Sequence, residues 1–92
     1  MIRRFRHKGL SRFFATGDAR GIHVQHAARL RLLLTSLNGA QGPAEMNLPG
    51  YRLHPLKGDR KGQWAVWESG NWRLVFAFEG QDAIDVDLVD YH

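Results

Sequence analysis

Two periods divide the chain. Up to residue 39 the apolar positions recur at helical spacing, and from Tyr51 onward they alternate. Leu10, Phe13 and Phe14 predict a first helix, with Gly17 as its stop. Ala27, Leu30, Leu34 and Leu37 form a 3,4,3 stripe, widened by Leu33, that predicts a second helix from about Val24 to Leu37. Asn38 and Gly39 should close it. "GAQGPAEMNLPG" then reads as a connecting loop. "YRLHPL", "QWAVWES", "WRLVFAFE" and "AIDVDLVDY" read as four strands, separated by the turn signals "KGDRKG", "SGN" and "EGQD". "MIRRF" at the start alternates enough for a short fifth strand.

Helices first and strands afterwards predict an α+β fold. The two N-terminal helices should pack on one face of a small, mainly antiparallel, twisted sheet. No repeat or linker is visible, so residues 1–92 are expected to form a single domain. Strand parity then assigns the faces. Trp72, Leu74, Phe76 and Phe78 should lie under the helices, with Ile84, Val86 and Leu88 beside them. Arg52, His54, Arg73, Asp85, Asp87, Val89 and Tyr91 should share the opposite, open face. Asp90 and His92 have the wrong parity for that face unless the last strand bulges near Val89, which is the expectation taken here.

Composition narrows the picture further. Hydrophobic residues make up 43% of the chain, enough for a globular core rather than disorder. Cysteine is absent, which excludes disulfides and thiolate metal sites and fits a reducing compartment. The basic N-terminus lacks the apolar stretch of a secretion signal, and no segment is long enough to span a bilayer. A cytoplasmic protein is expected, with no membrane partner. Net charge is +4 but uneven: residues 1–31 carry eight Lys/Arg against one acid, and residues 74–92 carry five acids and no base. The basic half suggests a polyanionic partner such as nucleic acid or the ribosome.

"LVDYH" at the end of the last strand sets an acid, a phenol and an imidazole in succession. Together with His54, Lys57, Arg60, Lys61 and Arg73, these are the groups that RNA cleavage by an internal 2′-hydroxyl requires. That chemistry needs a base, an acid and cations for the phosphate, and no metal or other cofactor. Imidazole can carry either proton transfer, arginine offers a bidentate fork, and Tyr91 can orient the ribose or stack on a base. Trp67 has open-face parity and is a candidate RNA contact. "KGDRKG" lacks the GK[ST] ending of a phosphate loop and is read as a turn. His23 and His26 are spaced for a helix face but have no third ligand nearby, so they are read as surface histidines. His7 is left without a role.

"RLHPLKGDRKGQWAV", "NWRLVFAF" and the terminal "VDYH", taken together, resemble the HigB branch of the RelE/ParE toxin superfamily along the whole chain. The resemblance implies a RelE-like microbial RNase fold and the toxin of a type II toxin–antitoxin system. It implies ribosome-dependent cleavage of mRNA in the A site of the small subunit, and hence growth arrest. The implied partner is a HigA-type helix-turn-helix antitoxin. The family's site maps onto His54, Lys57, Arg73, Asp90, Tyr91 and His92, with His54, Arg73, Asp90, Tyr91 and His92 as the catalytic positions. Arg60 and Lys61, nearby in the loop, join Lys57 and Arg73 as candidate phosphate or RNA contacts on the reading of the residues alone. The alternatives are a ParE-like gyrase inhibitor or a non-catalytic nucleic-acid-binding module on the same fold. The histidines favour the nuclease.

Overall fold

Two hairpins organise the C-terminal half. In the computed structural model, which describes residues 1–91, β2 (Trp64–Ser69), β3 (Trp72–Glu79) and β4 (Asp82–Asp90) form an antiparallel meander. Ser69 pairs with Trp72 and Glu79 with Asp82, so each loop has two residues. The first of each pair, Gly70 or Gly80, has a positive φ (53° and 63°), which a side chain disfavours and which keeps the strand twist. A two-residue strand, β1 (His54–Pro55), adds antiparallel to β2 and completes a four-stranded sheet in the order β1-β2-β3-β4.

The helices are α1 (Lys8–Thr16) and α2 (Ala27–Gly39), the latter entered through a 3₁₀ turn at Val24–His26. His7 caps α1, its Nδ1 accepting the Leu10 N–H at 3.0 Å, which gives that residue its role. At the other end the Gly17 N–H donates to the Phe13 carbonyl. The leucine stripe of α2 (Leu30, Leu33, Leu34 and Leu37) is fully buried, in one cluster with Leu10, Phe13, Val66, Leu74, Phe76, Val86 and Leu88. Truncating any of these leucines to alanine removes apolar contact and leaves a void, at about 2–5 kcal/mol. Asn38 lies in the last turn of α2 rather than past it, where its Oδ1 accepts the Ile2 N–H at 2.9 Å.

Three expectations need correcting. "MIRRF" is not a strand: only isolated parallel bridges, Ile2 to Ala83 and Phe5 to Val86, tie it to β4. "YRLHPL" shrinks to His54–Pro55, because Arg52 takes a left-handed φ of 54° and breaks the extended run before it. The bulge in β4 falls at Asp85–Val86, not near Val89. Val75 faces Asp87 and Ala77 faces Ile84, so Phe76 alone spans two residues of β4. Asp85 absorbs the extra residue at φ 54°, a conformation aspartate tolerates better than most. Parity flips there. Ala83 joins the helix-covered core, and Ile84 is buried on the opposite face.

The uneven charge has a structural outlet. Arg3 bonds Glu79 at the end of β3 at 2.6 Å, and Arg4 bonds Asp85 in β4 at 2.9 Å, joining the basic segment to the acidic C-terminal part of the sheet. The Arg4 hydrogen bond holds the Asp85 carboxyl below its ordinary value. Arg20 does the same to Asp18, which is lowered to about 2. Both are exposed surface pairs, remote in purpose from any chemistry.

Candidate active site

The open face is built around a small apolar floor. Cross-strand partners point the same way, so the pairs His54–Ala65, Ala65–Val75 and Val75–Asp87 define one row, and Trp67–Arg73 and Arg73–Val89 the next. Ala65 and Val75 are buried, at 0% and 1% exposure, yet stand apart from the helix-covered cluster. His54 and Arg73 rise from either side of them. Strand spacing and rise put their Cα atoms roughly 12 Å apart, a span that an imidazole and an arginine can close over one nucleotide.

Each of these two side chains is held by a backbone carbonyl. His54 Nδ1 lies 3.0 Å from the Arg52 oxygen. A carbonyl can only accept, so Nδ1 carries the proton, and in the neutral ring Nε2 keeps its lone pair. Arg73 donates from Nη1 to the carbonyls of Gly70 (3.0 Å) and Trp72 (3.1 Å). Both bonds leave from one nitrogen, so the other edge of the guanidinium is not spent on them. The β2–β3 turn is thus a hub: the Trp67 indole also donates to Gly70 O at 3.0 Å, and the Tyr91 N–H donates to Asn71 O at 2.8 Å. Tyr91, one residue past β4, is tied to the turn that holds Arg73.

The loop between β1 and β2 carries the remaining cations. Gly58–Arg60 is a 3₁₀ turn flanked by Lys57 and Lys61, both exposed. Arg60 is turned back, its Nη1 donating to Gln63 Oε1 at 3.3 Å. Asp90 faces Trp72 in unbroken register, which gives it the parity of the helix-covered face. Without a bulge near Val89, the sheet does not bring Asp90 onto the face of Arg73. His92 lies outside the described residues.

Residues 3–92 match the family model of the RelE-like toxin of the HigB type II toxin–antitoxin system. The chain belongs to the HigB-like toxin family. It is also 40% identical to the endoribonuclease HigB of Proteus vulgaris over 92 residues, all of both chains. Membership in this family implies an antitoxin partner. The two helices against an antiparallel sheet agree with the RelE-like fold expected from the sequence. Among the described residues no helix is long and apolar enough to cross a membrane, and no cluster of three or more His, Asp or Glu is placed to hold a metal ion. A groove of about 230 Å³ lined by Phe13, Phe14, Arg31 and Leu34 belongs to the helix layer, on the other side of the sheet from these HigB-family positions.

One buried polar group escaped the sequence reading. His26 is 8% exposed and Glu68 2%, with His26 Nδ1 3.1 Å from Glu68 Oε2. The distance suits a hydrogen bond but the angle does not, and the Ser69 hydroxyl makes the well-formed bond to Oε2, at 2.8 Å. Trp72 and His23 close around the imidazole, with ring centroids 5.8 Å and 5.6 Å away. Glu68 has core parity within "QWAVWES", and that alternation was the signal available. His26→Leu should cost about 1–3 kcal/mol in urea unfolding, because it takes away the ring nitrogen beside the buried Glu68 carboxyl and leaves an apolar side chain there. The double change with Glu68→Leu should recover most of that loss. Equal losses in single and double variants would show that the pair carries nothing.

Proposed function

We propose that the chain is a ribosome-dependent endoribonuclease that cleaves mRNA in the A site and stops translation, restrained by a HigA-type antitoxin. The observation that carries this reading is the fixed tautomer of His54 on the same sheet face as Arg73. His54 Nε2 takes the proton from a ribose 2′-hydroxyl, and the freed oxygen attacks the adjacent phosphorus. The bond to the 5′-oxygen breaks, leaving a 2′,3′-cyclic phosphate on one fragment. The unspent edge of Arg73 stabilises the charge gathering on the non-bridging oxygens. Lys57 and Lys61 draw the phosphates on either side, and Arg60 keeps their loop closed. The acid for the departing 5′-oxygen comes from the terminal triplet Asp90, Tyr91 and His92. Tyr91 lies nearest to Arg73 in the chain of hydrogen bonds; Asp90 and His92 are assigned by family likeness. No metal takes part in this scheme.

In vitro translation of a labelled message, with and without added protein, tests the reading. Cuts inside the reading frame that require ribosomes are expected. Gyrase inhibition without RNA cuts, or binding without either, would replace it.

The same reading ranks the cations. Arg3 and Arg4 are already paired with Glu79 and Asp85, whereas Lys57 is exposed with no ion pair among the described residues. Lys57→Gln should therefore lower the slope of log affinity for ribosomes against log salt by about 1, the effect of one phosphate contact. Arg4→Gln should leave the slope unchanged. A slope that falls equally in both variants would mean that the basic N-terminus itself meets RNA.

A further inference from the structure

Trp67 is enclosed by two arginines. Arg29 lies beneath it, with its guanidinium carbon 5.6 Å from the indole centroid and 5.1 Å from that of Tyr51. Its Nη2 donates to the carbonyls of Trp67 (3.0 Å) and Gly50 (3.1 Å), so it is anchored to the backbone. The Arg52 guanidinium carbon lies over the same ring at 4.6 Å, the closest of the cation–π contacts. Arg52 is exposed. Its own backbone adopts φ 54°, an uncommon conformation for a residue other than glycine.

From this arrangement we infer that Arg52, held over the Trp67 ring, is a stacking platform for one nucleobase of the RNA adjoining the scissile phosphate. The placement supports this beyond the stack itself. The carbonyl of Arg52 fixes the His54 ring, and the indole N–H of Trp67 meets Arg73 Nη1 at the same Gly70 oxygen. The platform therefore adjoins both the proposed proton acceptor and the proposed phosphate clamp, within reach of the base of a nucleotide held by the two. A guanidinium plane backed by an aromatic ring accepts any base face, and its charge suits the flanking phosphates. Arg29 and Tyr51 act as positioning residues: they hold the indole and leave the outer plane of Arg52 to the ligand.

The inference rests on the nuclease reading, and one experiment separates the two. Ribosomes programmed with short messages, each abasic at one position around the cut, are treated with wild type, Arg52→Ala and Arg52→Lys, after circular dichroism confirms that each variant is folded. Wild type should lose roughly 5- to 150-fold in cleavage rate when the stacked base is missing, the range that loss of a base stack produces. Arg52→Ala should lose a similar factor on the intact message and little more on that abasic one. Arg52→Lys keeps the charge without the plane and should behave like Arg52→Ala. If abasic and Arg52 penalties multiply at every position, or if Arg52→Lys cuts like wild type, the platform is wrong and the nuclease stands. Absence of any cut by wild type would overturn both.

Discussion

His54→Ala is expected to lower mRNA cleavage by about 10²- to 10⁴-fold, the usual contribution of a positioned general base. Folding should survive, because β1 pairs with β2 through backbone groups and the imidazole is only half-buried. His54→Asn makes the sharper test. Its amide can still donate to the Arg52 carbonyl, so the local bond is kept while the lone pair of Nε2 is lost. We expect Asn to be as poor as Ala in single-turnover cleavage, with ribosome association unchanged in both. Near wild-type cutting by the Asn variant would show that His54 is a strand-end residue and nothing more.

Arg73 should be the next most costly position. The guanidinium donates one nitrogen to the β2–β3 turn and has a second edge for the phosphate. A lysine ammonium is a single point and cannot serve both, so Arg73→Lys should lose about 10²-fold in cleavage rate, close to the loss of one oxyanion donor. Lys57→Arg, on an exposed loop, should change little. Measured side by side on programmed ribosomes, equal tolerance at both positions would leave a general electrostatic field and no fitted clamp.

Much of this arrangement was legible in the residues. The period of 3.6 in "ARLRLLLTSL" and of two in "WRLVFAF" predicted the two helices, the meander and the face on which His54 and Arg73 meet. It did so because side-chain direction is fixed by local backbone geometry. The failures are the places where a single residue leaves that geometry. At Asp85 a left-handed residue adds a bulge that sends Ile84 to the other face. At Arg52 another ends the strand early and lays its side chain on Trp67. A charge at either position looks the same in the sequence whether its φ is negative or positive.

The burial of His26 and the ion pairs of Arg3 and Arg4 escaped for a different reason, which is distance along the chain. Glu68 lies 42 positions from His26, and Asp85 lies 81 from Arg4. No local rule pairs them, so His26 read as a surface histidine and the bond from Arg4 to Asp85 was not foreseen. The fold class follows from periodicity and the family from short motifs read together, so both were open to inspection of the residues alone. Only the tertiary structure decided which charges are already spent on one another, which nitrogen of His54 is open, and which arginine has a face left over. Those depend on carbonyls, rings and carboxylates that meet only when the sheet closes.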